Sequence, residues 1–175
     1  DAEALGDYLV DLGLLTRYQA RRAVQGDARK LLVGPYLLME PIGSGGMGTV
    51  FKAQGRSDKR LYVVKLLPLR NQWNVRLARK QIERFETLPS QEGVVPFVDV
   101  GTSNAQHYLV WPFVGGQTLE DRGRRNGPLP VPEPARLGCQ LAAAPEPCHA
   151  GDVVHGFLKP PHVLLAYHGS PRLPL

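Results

Sequence analysis

Four glycines within six residues, Gly43-Ser44-Gly45-Gly46-Met47-Gly48, separate two stretches that have the composition of β-strands. These stretches are residues 36–42 and 49–53, and a third strand pattern follows at 61–67 after a turn-forming cluster. In a dinucleotide-binding fold, glycines at this spacing open a helix directly after a strand. Because these glycines open a second strand instead, they predict a hairpin in an antiparallel sheet. An ordinary turn without a ligand is the alternative.

The rest of the chain adds two strands and several helices to this hairpin. Strand patterns recur at 94–100 and 107–111, and apolar residues at helical spacing predict a long helix over 71–88. The second half offers a helix at 137–144 and a short strand at 163–166. The predicted fold class is α+β, with a five-stranded antiparallel sheet and one long helix, followed by a partial helical lobe.

A helical leader is predicted ahead of the sheet, over residues 1–33. Thr16 and Gln19 have the spacing of a capping box, in which each side chain bonds to the other residue's backbone N–H. We therefore expect a second short helix from Arg17 to about Gln25. The leader contains no residues that suggest chemistry.

Prolines are concentrated late in the chain, with ten of the sixteen between Pro128 and Pro174. Pro145 and Pro147 directly follow the helix pattern at 137–144, and an interior proline costs a helix about 3 kcal/mol. We expect that helix to kink or to end near Ala144.

The formal net charge is +5, and residues 1–87 hold fifteen Lys and Arg against nine Asp and Glu. A basic half suits an anionic ligand. Arg122, Arg124 and Arg125 lack interleaved aromatic residues, so we predict a solvated face and no nucleic-acid partner.

The chain has two cysteines and no apolar run of membrane-spanning length, which predicts a cytoplasmic protein with no membrane partner. The histidines and cysteines lack the close pairs of a zinc site, so no metal is predicted.

Several short motifs follow one another along the chain, and their order matters for identifying the fold. They are Gly34–Ala53, Tyr62–Leu67, Tyr108–Gly116 with Thr118-Leu119, Gly127-Pro128-Leu129-Pro130, Asp152–His155, Lys159-Pro160 and Val163–Leu165. A strand, a glycine loop and a second strand, with a lysine on the third, form the phosphate-covering part of protein kinases. Residues 34–175 thus resemble a bacterial serine/threonine protein kinase domain. The resemblance implies a leader at 1–33, a small lobe at 34–114 and a partial large lobe at 115–175.

The resemblance also implies which residues would bind ATP. Those that cover the nucleotide, contact its phosphates or bond the adenine are Gly43, Gly45, Gly48, Val50, Lys65, Val114 and Lys159. Trp111 at the back of the adenine site, and Val63 in place of a smaller alanine, narrow the space for the base. The resemblance therefore implies weak ATP binding.

Four positions depart from the family's pattern. Phe157 stands for the catalytic Asp, His162 and Leu175 for the two metal ligands, and Gln81 for the helix Glu, with Glu83 as a fallback. A phenyl ring accepts no proton, and an imidazole is a poor substitute for the oxygen ligands of magnesium. The resemblance thus implies a pseudokinase that uses no metal and is not an enzyme.

We predict a catalytically inactive binding or regulatory module with ATP as an optional ligand. The alternative is a residual or unconventional serine/threonine phosphotransferase that uses Lys65, Lys159 and either His162 or Glu83. Helices that complete the family's large lobe have no counterpart in this chain. We therefore expect an uncovered apolar surface on 115–175 that self-associates or binds a protein partner, such as an active kinase.

Overall fold

The computed structural model of the chain describes residues 1–46, 48–68, 75–87, 93–95, 97–154, 158–167 and 173–174. The chain divides into two compact units, residues 1–75 with 99–113 and residues 76–98 with 114–175. The first unit contains the leader together with the sheet. Within the described ranges, no helix is long and apolar enough to cross a membrane.

The leader forms two short helices and a 3-10 turn. Their bounds are α1 (Ala2–Asp11), α2 (Arg17–Val24) and the turn Ala28–Leu31. The predicted capping box at the start of α2 is confirmed. The Thr16 side-chain oxygen accepts from the Gln19 amide at 3.2 Å, and the Gln19 Oε1 accepts from the Thr16 amide at 2.9 Å.

Six strands form the antiparallel sheet of the first unit. Their bounds are β1 (Leu32–Val33), β2 (Tyr36–Gly45), β3 (Gly48–Gly55), β4 (Leu61–Leu66), β6 (Asp99–Ser103) and β7 (Gln106–Pro112). The spatial order is β1-β2-β3-β4-β7-β6. The prediction of five strands is one short, because Val33 pairs with Tyr36 across the turn at Gly34-Pro35. That pairing adds β1 as a short edge strand.

One face of the sheet forms the hydrophobic core, and the leader covers it. The core residues are Leu31, Val33, Tyr36, Leu38, Phe51, Ala53, Val64, Tyr108 and Val110. Val64 and Val110 are fully buried and pair directly across β4 and β7. The Tyr18 ring of α2 lies 5.7 Å from the Phe51 ring of β3, so α2 packs on the back of the hairpin.

The remaining elements are α3 (Val75–Glu86), β5 (Val94–Val95), β8 (Gly116–Thr118), α4 (Leu119–Asn126), α5 (Glu133–Ala143), α6 (Glu146–Ala150), a 3-10 turn (Pro160–His162), β9 (Leu164–Ala166) and β10 (Leu173–Pro174). In the second unit, β8 pairs with β9 antiparallel and β5 with β10 in parallel. Val94, Cys148 and Val153 form a buried cluster there.

One prediction about proline is confirmed, and one predicted strand is wrong. Helix α5 ends at Ala143 and α6 begins after Pro145, as the proline positions predict. The single strand predicted at 94–100 is wrong, because β5 and β6 are separate strands in different sheets. Pro96 lies between them and has no N–H to donate to a sheet.

Candidate functional site

The glycine turn joins β2 and β3 as a tight hairpin. Gly43 pairs with Val50, Ser44 with Thr49, and Gly45 with Gly48. The hydroxyl oxygens of Ser44 and Thr49 lie 3.4 Å apart. The hairpin predicted from the glycine spacing is therefore confirmed.

Different constraints act on three of the four glycines, Gly43, Gly45 and Gly48. Gly48 has a φ of +112°, and a side chain there would collide with the backbone of Leu66. A β-carbon on Gly43 would make only ordinary contact with Val50 at 3.9 Å, and one on Gly45 would meet nothing within 4 Å. The chain's own packing thus requires glycine at position 48. The open space at Gly43 and Gly45 lets a ligand approach backbone N–H groups closely.

Lys65 lies on the strand next to this hairpin. It pairs with Val50 of β3 and with Leu109 of β7, and it is half-buried. Residues that pair across strands share one face of a sheet, so Val50 and Lys65 lie side by side on the face opposite Phe51 and Val64.

Two apolar residues, Val63 and Trp111, lie on the same face of the sheet as Lys65. Val63 is two positions before Lys65, which places both on one face, and it pairs with Trp111 of β7. Both side chains are half-buried. The first unit therefore presents glycine backbone, a lysine and an apolar patch on one face of the sheet.

Lys52 is a second cation on this face, and the sequence motifs did not indicate it. It pairs with Val63, its ammonium lies 3.8 Å from Glu40 Oε1, and it stands 5.1 Å from the centre of the Phe113 ring. The available signal was the alternation of Val50 and Lys52, which puts both on the side of the strand that Lys65 faces.

The other predicted residues belong to the second unit. Val114 follows β7 and is half-buried, and Lys159 is the half-buried residue that precedes the 3-10 turn containing His162. Gln81 lies on α3, as does the exposed Glu83. Phe157 and Leu175 lie outside the described residues.

Comparison with known proteins shows that the chain is similar to protein kinases. Residues 36–174 match the model of the protein kinase domain. A probable serine/threonine-protein kinase of Clostridium perfringens is 34% identical over 143 residues, which cover 80% of this chain and 21% of that protein. The probable serine/threonine-protein kinase PknB of Lactococcus lactis is 30% identical over 149 residues, covering 82% and 23%. The chain spans about a fifth of the length of these curated relatives.

A solved structure confirms the predicted fold class. The crystal structure of the Mycobacterium tuberculosis PknI kinase domain superimposes with a TM-score of 0.68 at 20% identity, covering 81% of this chain and 57% of that chain. One prediction is overturned by the sequence relatives. They are named serine/threonine-protein kinases, which contradicts the prediction that this chain is not an enzyme, and that prediction is wrong.

Proposed function

The chain belongs to the protein kinase family, and we propose that it binds ATP under its glycine hairpin for serine/threonine phosphoryl transfer. The proposal concerns a segment of about a fifth of its relatives' length. It assigns the triphosphate to the hairpin and Lys65, and the adenine to the apolar patch of the same face.

The observation that carries the proposal is the hairpin beside Lys65. Gly43 of β2 pairs with Val50 of β3, and Val50 pairs with Lys65 of β4, so the open glycine backbone and the lysine lie on either side of Val50 on one face of the sheet. Backbone N–H groups and a lysine are the donors that hold nucleotide phosphates in this family. A charged hydrogen bond of this kind contributes about 1.5–3 kcal/mol.

Val50, Val63 and Trp111 support the position of the base. Their side chains lie on the face that carries Lys65, and all three are half-buried. Ligand pockets combine such apolar walls with a few polar groups that set orientation. The width of Trp111 and Val63 supports the prediction that affinity for ATP is low.

Phosphoryl transfer breaks the bond from the terminal phosphorus to its bridging oxygen, so that ADP leaves, and forms a bond to a substrate hydroxyl oxygen. The hydroxyl proton passes to water, because Phe157 stands where the family has its proton acceptor. Positioning and neutralisation of charge supply most of the acceleration. We assign the neutralising role in the first unit to Lys65. Lys159 of the second unit is the other cation that the family pattern retains. The substrate would be a serine or threonine hydroxyl, as the relatives' names suggest.

The family implies Mg²⁺ with the nucleotide, and the side chains at its expected site do not fit that ion. His162 stands where an oxygen ligand is expected, and Mg²⁺ prefers oxygen. Among the described residues, no group of three or more His, Cys, Asp or Glu side chains could hold a metal. The roles assigned to this chain's residues in the transfer therefore involve no metal ligand.

Lys65→Gln tests the proposal, with Lys59→Gln as the matched control. Lys59 lies in the exposed turn between β3 and β4, at the end of the sheet away from the hairpin. We expect calorimetric titration with ATP, with magnesium and with chelator, to show affinity at least about tenfold weaker in Lys65→Gln and unchanged in Lys59→Gln. Equal ATP affinity in wild type, Lys65→Gln and Lys59→Gln would contradict the proposed nucleotide site.

Transfer is measured separately, from labelled ATP to serine- and threonine-containing peptides. We expect incorporation that Lys65→Gln reduces and Lys59→Gln leaves intact. Binding without any incorporation would restrict the proposal to nucleotide binding. The partner surface predicted on residues 115–175 stays a prediction, and light scattering over a range of concentrations would test its self-association.

A further inference from the structure

Strand β2 carries two more residues than its partner in the hairpin. The pairing runs from Leu38 with Ala53 directly to Glu40 with Lys52, so Met39 is an extra residue. A second shift occurs between Pro41 and Gly43. Each bulge moves the pairing by one residue, and a shift of one exchanges the two faces of a strand. The two bulges therefore determine which residue of β2 pairs with Val50, and that residue is Gly43.

The leader bonds to the first bulge with two side chains. The Thr16 hydroxyl donates to the Met39 carbonyl, and the Gln19 amide nitrogen donates to the Leu38 carbonyl at 2.9 Å. The Gln19 side chain is buried, with 5% of the residue exposed. A buried polar group of this kind stays only where its hydrogen bonds are made.

Thr16 and Gln19 also bond to each other, as the capping box of α2. The Gln19 side chain therefore links its own helix, α2, to two other backbone groups. It accepts from the Thr16 amide and donates to the Leu38 carbonyl of β2. The start of the helix and the bulge are held by the same two residues. The Tyr18 ring on Phe51 adds an apolar contact beside them, so α2 cannot shift without disturbing β3.

From this arrangement, we propose that Thr16 and Gln19 are positioning residues for the nucleotide site. They hold the bulge at Met39 and thereby the β2–β3 register that places Gly43 opposite Val50, the residue that pairs with Lys65. The effect on ATP rests on the function proposed above. The kinase family match begins at residue 36, so this role belongs to a segment outside it.

Gln19→Glu isolates the contact with β2. A glutamate keeps the side-chain acceptor for the Thr16 amide, so the capping box remains, but its carboxylate cannot donate to the Leu38 carbonyl. We expect faster amide hydrogen exchange in residues 40–50 and ATP affinity about three- to tenfold weaker, the worth of one hydrogen bond. Arg21→Ala is the control, because Arg21 is an exposed residue of the same helix. It should match wild type in both measurements.

A second pair of variants covers failure of Gln19→Glu to fold. Thr16→Ser keeps the hydroxyl donor and Thr16→Val removes it at similar volume. We expect Thr16→Ser to behave as wild type and Thr16→Val to show the faster exchange. A lower melting temperature with unchanged exchange at 40–50 and unchanged ATP affinity would mean a merely structural role and would overturn the proposal. If wild type binds no ATP, the proposed function fails, while hydrogen exchange still decides whether the leader holds the bulge.

Discussion

Gly48 lies against the carbonyl of Leu66, so closely that only a hydrogen fits on its α-carbon. Its φ of +112° is also one that side chains rarely adopt. We expect Gly48→Ala to lower the free energy of unfolding by about 2 kcal/mol or more, since both the collision and the backbone strain must be absorbed. Urea denaturation measures the loss. A change under about 0.5 kcal/mol would show that the hairpin can open away from β4.

Gly45→Ala separates ligand binding from stability. A β-carbon at this position meets no protein atom within 4 Å, and the residue is exposed. We therefore expect the free energy of unfolding to change by less than about 1 kcal/mol, while calorimetry shows weaker ATP binding because the methyl group occupies the approach to the backbone. Unchanged affinity in this variant would place the phosphates elsewhere.

Tyr36 should make the stability of the first unit depend on pH in the alkaline range. Its hydroxyl donates to Asp99 Oδ2 at 3.1 Å, and burial, followed by the charge of Asp99, raises the pKa of Tyr36 above its ordinary value near 10. The unfolded chain ionises this phenol first. Its contribution to stability is therefore full below about pH 10 and is lost as the pH rises further.

The matching measurement is the melting temperature between pH 8 and pH 11 for wild type and Tyr36→Phe. At pH 8 we expect the variant to be less stable by about 1 kcal/mol, the worth of the lost hydrogen bond. Above about pH 10 the gap should narrow, because only wild type has this phenol to ionise. Tyr8→Phe, at an exposed position of α1, is the control. Parallel curves for Tyr36→Phe and wild type would contradict the assignment.

The two cysteines should differ in reactivity. Cys139 is exposed on α5, whereas Cys148 is fully buried and burial raises the pKa of its thiol. Since the thiolate is the reactive form, we expect an aromatic disulfide reagent to modify one thiol rapidly and the second only on unfolding. Peptide mass spectrometry identifies the site. Rapid labelling of Cys148 would show that the cluster with Val94 and Val153 opens readily.

Local signals predicted the glycine hairpin and the capping box correctly. A strand needs only alternation bounded by turn residues, and a capping box needs only two residues at the right spacing. Both features lie within a few residues of sequence. Pro145 is similar, because a proline in the interior of a helix removes a backbone hydrogen bond and kinks or ends the helix.

Contacts between distant segments could not be predicted in the same way. Gln19 is explained locally by its capping role, and nothing near it indicates that its amide also donates to Leu38, nineteen positions away. Leu38 directly precedes the bulge at Met39, and the strand composition that predicted β2 does not indicate a bulge. Lys52 was missed because strand alternation assigns its face but does not show that Glu40 and Phe113 lie nearby.

The strand order also determines when the sheet can be completed during synthesis. β2, β3 and β4 follow one another through short turns, but β7 joins β4 only after residues 67–105. Closing that long loop costs chain entropy, so we expect pulsed hydrogen exchange to protect β2–β4 before β6 and β7. Val64 pairs with Val110, so we expect its edge of β4 to stay unpaired on the growing polypeptide until Pro112 has left the ribosome. Unpaired strand edges and exposed apolar residues favour aggregation, so we expect nascent chains that end before β7 to aggregate more than chains that include it.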